Sequence, residues 1–450
     1  MAPAEQQSQT IRPFKVTHRL VLGIAVPMTL GLMTTPLLGL TDTAVVGNLG
    51  DAESLAGLAV ASILFDLLYG SLNFLRVSTT GLVAQAVGRG DPREQQAVFW
   101  RALISAIGLG IVVFALSPLV SSFVPKLITS DPAVIAVTRE YFGIRVLASP
   151  VTFVNFAILG YLFGRGQAVT GLMLQIILNG TNILLTILFG LGLGWGVAGV
   201  AWATAASEVL AVVIGLIVVT RQFSVVDRPS RAEIFDTSRL RLLFQMNADI
   251  LIRSLLLNGA IALLTSVGAG FGAVTLAANA VLFNIFMLSA FFLDGLAGAA
   301  EQLAGRAVGA QFRPAFDRML RLTGIWSFAM AAGLGLFFLF LGQPIIHLLT
   351  TSEEVRQMAA TYLPWAALTG LTGALAFQMD GVFIGATWSR DMRNMMLASC
   401  AIYAVCLFPL VDWLGNHGLW LSLNLLLMMR GLFLAFILPR KVRQSFIAAQ

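Results

Sequence analysis

Charged side chains that interrupt long apolar runs are where this sequence can do chemistry: Asp42, Asp66, Arg76, Glu208, Asp249, Arg253, Asp294, Asp380 and Arg430, with Glu301 and Asp412 near the ends of such runs. In an apolar bundle each costs several kcal/mol or more unless it faces a partner, an interior or water. An acid so placed can take up and release a proton or another cation, which is transport chemistry. Asp42 lies in Thr41-Asp42-Thr43-Ala44-Val45-Val46-Gly47 at the end of the first run. It reads either as an interfacial residue in a helix-ending turn or as a buried carboxylate that exchanges protons for cargo. Asp249 and Arg253 are four apart and can pair on one helix face, and Asp294 and Glu301, seven apart, share another. With Asp380 these residues form either a charged cluster inside the second half or an ion network that only fixes packing. Asn179, Asn182 and Thr186 follow one face of the fifth run and Thr204 sits on the sixth, so they line a cavity or join helices. Arg76, near Ser78, Thr79 and Thr80, suits a structural or inner-gate role.

The elements that must position these groups follow from composition. Of 450 residues 58% are apolar and 11% charged, which excludes disorder and an ordinary soluble domain. Apolar runs recur at 20–46, 55–79, 97–121, 141–163, 170–193, 197–219, 242–267, 276–300, 319–341, 361–386, 395–413 and 419–438. Each is long enough to span a bilayer, and none alternates as a barrel strand does. The expected fold is an all-α membrane protein of twelve transmembrane helices. Leu20 to Val46 spans about 40 Å as a helix, longer than the hydrocarbon core, and Pro27 removes a backbone bond and permits a bend.

With the N-terminus in the cytoplasm, only Lys126, Arg139, Arg145 and Arg356 of the 28 basic residues fall outside, Arg76, Arg253 and Arg430 lie within runs, and the rest fall inside. That bias predicts a multi-pass protein with both termini cytoplasmic. Spread over every inner loop, the positive charge does not form a nucleic-acid stripe. Cys400 and Cys406 share one apolar run, and His18, His347 and His417 are far apart, so neither a disulfide framework nor a metal centre is expected.

At an offset of 221 the chain matches itself: Leu55-Ala56 with Leu276-Ala277, Ala59-Val60 with Ala280-Val281, and Ala86-Val87-Gly88 with Ala307-Val308-Gly309. Six helices per half is an even number, so the copies insert the same way round, related by a pseudo-twofold axis along the membrane normal. The expected division is an N-lobe, 1–220, a charged cytoplasmic linker, 221–241, around Arg228-Pro229-Ser230, and a C-lobe, 242–450. A duplicated helical body with a polar interior points to a transporter. An intramembrane enzyme would need a nucleophile with its base, or metal ligands, at membrane depth, and no such set is present in the sequence.

The residues resemble the multidrug and toxic compound extrusion (MATE) family, and within it the branch of the DNA-damage-inducible protein F (DinF). The stretches that carry the likeness are 36–47 (PLLGLTDTAVVG), 74–81 (FLRVSTTG), 249–254 (DILIRS), Leu293-Asp294-Gly295 with Glu301, 380–387 (DGVFIGAT) with Met392-Arg393-Asn394, and 414–420 (LGNHGLW). The resemblance implies two six-helix lobes, alternating access, and cation-driven export of amphipathic or cationic compounds from the bacterial inner membrane, with no cofactor and no nucleic-acid partner; a monomer in the lipid bilayer is expected. Asp42 matches the first-helix acid that couples cargo to protons or sodium, Pro27 the bending proline there, and Asn182 and Thr204 polar positions of the N-lobe site. Relatives commonly carry an aspartate four residues after the asparagine, where this chain has Thr186. A sodium site benefits from carboxylate oxygens, so the expected coupling ion is the proton, with no metal bound. Asp249, Asp294, Glu301 and Asp380 do not map onto the cation site of the sodium-driven branch, and a second coupling site among them is an open expectation. The alternative within the superfamily is a flippase of lipid-linked precursors, which would favour extra helices and a strongly basic cavity.

Overall fold

A computed structural model describes residues 11–446. Every regular element among them is helical. In chain order these are α1 (His18–Gly47), α2 (Ala52–Leu72), α3 (Phe74–Arg89), α4 (Pro92–Ile128), α5 (Pro132–Leu147), α6 (Ser149–Gly164), α7 (Ala168–Thr186, continued by a π-helical turn, Ile187–Gly192) and α8 (Gly196–Thr220). After them come the short α9 (Arg231–Ile234), then α10 (Thr237–Ala269), α11 (Ala273–Gly309), α12 (Arg313–Leu349), α13 (Glu353–Gly385), α14 (Ser389–Leu414) and α15 (Asn416–Ser445). Eleven spans among the described residues are long and apolar enough to cross a membrane, counting α2 with α3 as one, and the bent pair α5 and α6 makes a twelfth. In lipid a segment has to satisfy its own backbone, which is why the apolar runs become helices throughout. Large apolar side chains such as Val405, Phe340 and Phe436, at 75, 80 and 85% exposed, point outward, as a hydrocarbon environment allows. Helix α1 continues unbroken through the buried Pro27.

The duplication is visible in the helix starts. Those of α2 and α11 (Ala52, Ala273), α4 and α12 (Pro92, Arg313), α5 and α13 (Pro132, Glu353), and α7 and α14 (Ala168, Ser389) are each separated by the 221 residues of the sequence repeat. The close contacts repeat as well. A side chain at Gly160 or Gly164 of α6 would run into the α3 carbonyls of Arg76 and Thr80, and one at the matching Gly381 or Gly385 of α13 would run into the α11 carbonyls of Ala297 and Glu301. These are small-xxx-small faces, where the missing Cβ lets two helix backbones approach. The copies differ in their breaks: α11 and α13 are continuous, whereas α2 and α3 part at Asn73 and α5 and α6 meet at Ala148 with a 53° bend.

The helices divide into two compact units. One takes the chain as far as Thr29, Ala84–Asp91 and everything from Gln245 onward; the other takes Leu30–Val83 and Pro92–Phe244. The first has a core around Phe338, Tyr403 and Trp420, in which Asn279 and Asn416 exchange hydrogen bonds of 2.8 and 2.9 Å while the Trp420 indole donates to Asn279. The second is lined by Phe65, Tyr69, Tyr141, Phe142 and Phe153 in mutual ring contact.

Residues 221–241 belong to the second unit. Ser230 and Glu233 cap α9 reciprocally, and Arg101 of α4 donates to the carbonyls of Glu233 and Ile234. Glu94 accepts from both Arg101 and Arg239, and Arg93 pairs with Glu233 at 3.0 Å. The Ser230 backbone N–H and then its hydroxyl hold the Glu233 carboxyl below its usual range, and the Ser238 hydroxyl followed by the Arg239 N–H does the same for Asp236. For groups with a lowered folded pKa, stability is complete above the unfolded value, near 4, and is lost as the pH falls through the folded one. Lowering the pH through this acid range therefore loosens 221–241: backbone amide exchange there, corrected for intrinsic rate, rises before exchange in α4 does. Equal protection at pH 3 and pH 6 would contradict it.

Candidate functional site

In the second unit Asp42 is set on α1 three residues before Val45, against which the π-helical turn packs through Gly190; a Cβ there would come within 2.5 Å of the Val45 side chain. Gly199 on α8 is similarly pressed on the backbone of Phe189. A π turn widens the helix and commonly marks a functional position; here it follows directly on Thr186. The Thr186 hydroxyl donates to Asp42 Oδ1 at 3.3 Å, and Arg145 is close enough for its charge to act on the carboxylate. One turn back along α7, Asn182 donates to Thr204 at 2.9 Å and its own Oδ1, fully buried, has no hydrogen-bond partner among the described residues. Asn179 donates to Thr34 of α1 at 2.5 Å. Asn179, Asn182, Thr186 and Thr204 are all buried, and this helix face bonds to α1 through Asn179 and Thr186 and to α8 through Asn182.

Beside this lies a group that loop counting assigned to the outside. Arg145 sits in the last turn of α5, its side chain 13% exposed, and is not an outer-loop residue. The fourth apolar run, 141–163, takes in only the last turns of α5, so the first arm of the broken helix is read only in part. The guanidinium lies 4.8 Å from the centre of the Phe65 ring and about as close to Tyr141 and Tyr69, at 5.8 and 6.0 Å. It donates to the Tyr141 hydroxyl at 3.1 Å and approaches Glu208 at 3.8 Å. Glu208 in turn accepts from Thr152 of α6 at 2.5 Å. The signal that could have found Arg145 was Glu208 itself, since a buried acid demands a cation.

In the first unit the predicted cluster resolves into two separate ion-paired sets. Asp249 does not take Arg253, its neighbour one turn on; it accepts from Arg393 at 2.6 Å and from Ser389 at 2.8 Å. Arg253 donates to Asp380 at 2.7 Å, and Arg430 donates to the same oxygen at 2.7 Å. Asp294 and Glu301 both lie on α11, the first exposed and the second buried. Asp380, met by two guanidinium groups, and Asp249, met by one, are already neutralised in this arrangement. Asp42, by contrast with these two, has a hydroxyl as its hydrogen-bond partner.

Comparison with known proteins agrees with this architecture. The MatE family model matches twice, over residues 27–188 and 250–410, once in each copy of the repeat. The chain is 36% identical over 429 residues to DNA damage-inducible protein F of Escherichia coli K12, covering 94% of this chain and 92% of that protein. It is 20% identical to the multidrug export protein MepA of Staphylococcus aureus, over 90% of this chain and 89% of the other. Among solved structures, a MATE protein in complex with MaL6 superposes with a TM-score of 0.86 at 20% identity, covering 95% of this chain and 97% of that one. An outward-facing multidrug resistance MATE transporter superposes with a TM-score of 0.85 at 19% identity, covering 95% and 96%.

Removing one member of a buried ion pair strands the others. Asp380→Asn leaves Arg253 and Arg430 facing each other without their countercharge, and is expected to cost about 3–5 kcal/mol. Thermal unfolding of the detergent-solubilised protein should drop clearly, and an unchanged melting curve would show that the triad is not the brace described.

Proposed function

The chain belongs to the MATE family, and from that premise we propose that it exports amphipathic and cationic compounds across the bacterial inner membrane, by alternating access, in exchange for protons bound at Asp42. It acts as a transporter without covalent chemistry or cofactor, working as a monomer with both termini in the cytoplasm and with 1–220 and 242–450 as its two lobes. A relative named for multidrug export supports the class of cargo. The observation that carries the coupling reading is the Asp42 site: an interior carboxylate whose hydrogen bond comes from the neutral Thr186 hydroxyl. A proton neutralises such an acid with one partner. Sodium would call for several oxygen ligands, carboxylates among them, and Thr186 stands where relatives commonly have the second carboxylate. The ion-paired state of Asp249 and Asp380 argues for Asp42 over them as the exchanging group. With Asp42 ionised the site attracts a cationic cargo; with Asp42 protonated that attraction is gone and the cargo leaves.

The test is transport of a fluorescent cationic dye in proteoliposomes under an imposed pH gradient, with and without sodium. The expected result is transport that follows the pH gradient, ignores sodium, and falls at least about ten-fold in Asp42→Asn, as for loss of about 1.4 kcal/mol or more of coupling. Undiminished transport in Asp42→Asn, or transport driven by sodium alone, would overturn the proposal.

A further inference from the structure

The ion pairs of the first unit are short and committed: Arg393 to Asp249 at 2.6 Å, Arg253 and Arg430 to Asp380 at 2.7 Å. The Arg145 pair in the second unit is built differently. Its 3.8 Å approach to Glu208 is beyond hydrogen-bond reach, and its buried Nε has no hydrogen-bond partner among the described residues. What holds the guanidinium is a box of ring faces from Phe65, Tyr69 and Tyr141, closed by the Tyr141 hydroxyl. Aromatic faces with a carboxylate behind them are how proteins receive organic cations. Here the chain's own arginine sits in such a receptor.

The charged and polar groups around Arg145 come from several helices. Asp42 on α1 and Asp66 on α2 lie within reach of its charge, Glu208 on α8 faces it directly, and Tyr69 and Tyr141 complete the box. From α6, Ser149 bonds Tyr69, Thr152 bonds the Glu208 carboxylate, and Asn155 bonds the Glu208 carbonyl. Arg76 lies elsewhere, bonded to Asn73 and over Phe163. Three carboxylates thus share one guanidinium that is hydrogen-bonded to none of them.

We propose that Arg145 is a resident countercharge that determines cargo specificity: by cancelling one interior carboxylate it holds the site to cargo of lower positive charge. The inference rests on the export of cations proposed above. Removing Arg145 gives the site one more unit of negative charge, which favours a second positive charge on the cargo; removing the Glu208 charge does the reverse. At site separations of several ångströms and an intermediate dielectric, one unit charge is worth about ten-fold or more in affinity.

The experiment is equilibrium binding to the purified, detergent-solubilised protein, without any gradient. The probes are decyltrimethylammonium and its counterpart with a trimethylammonium at both ends of the same chain. Arg145→Gln is expected to raise the preference for the doubly charged probe about ten-fold, Glu208→Gln to lower it by a similar factor, and Arg145→Gln/Glu208→Gln to restore the wild-type ratio. Arg145→Lys keeps the charge and should keep the ratio. If Arg145→Gln does not fold, the opposite shift in Glu208→Gln decides. A ratio unmoved by either single substitution makes Arg145 a structural brace and sinks the inference while leaving proton coupling untouched. Shifted ratios in a protein that fails the proteoliposome test would retain the inference and discard the coupling. Binding of neither probe by any variant would overturn both.

Discussion

An ionised side chain among apolar helices is tolerated only where the bundle itself supplies its opposite, because neither lipid nor a packed interior can solvate it. Much of the interior of this protein follows from that requirement. Arg393 is drawn from the start of α14 to Asp249 on α10, and Arg253 and Arg430 converge from α10 and α15 on Asp380 of α13. Each set ties helices distant in sequence into one unit, so charge performs a joining role that apolar contact alone performs poorly in a membrane. Against that background Asp42 differs from Asp249 and Asp380. Its hydrogen bond comes from a hydroxyl, and the nearest guanidinium is held by aromatic rings and not by the acid. Fixed charges build the frame, and the proposed coupling places proton exchange at the acid that no short ion pair commits.

The sequence made the helices legible and their mutual facing much less so. Apolar length located the spans, and the offset between Ala86-Val87-Gly88 and Ala307-Val308-Gly309 carried through to helix starts in the folded chain. The face Asn179, Asn182, Thr186 was readable because helical periodicity fixes which side chains of one helix share a side. Periodicity says nothing of which other helix that side meets. Asp249 and Arg253 were legible as neighbours on α10, but their partners lie 144 and 127 residues away. Arg393 was read as an inner-loop residue, and its long side chain reaches back to a buried acid.

Arg145 was hidden for a different reason. The span that contains it is broken, so neither arm satisfies a length criterion alone. In the second copy the matching helix α13 is continuous and announces itself plainly. Breaks in spanning helices free backbone groups and cluster at binding regions, and here the two sides of the break bring Arg145 and Thr152 to Glu208. The less conventional a span is, the harder it is to read and the more of the polar interior it carries.

The matched glycines of α6 and α13 bear on what can move. Gly160 and Gly164 bring the α6 backbone against α3, and Gly381 and Gly385 bring α13 against α11, each with carbonyl oxygens where a side chain would otherwise be. Two helices seated backbone to backbone cannot slide by a residue or roll by part of a turn without driving a neighbouring Cβ into a carbonyl. Each pair therefore behaves as a riveted strut, present once in each copy of the repeat, and any deformation has to leave these seats in place.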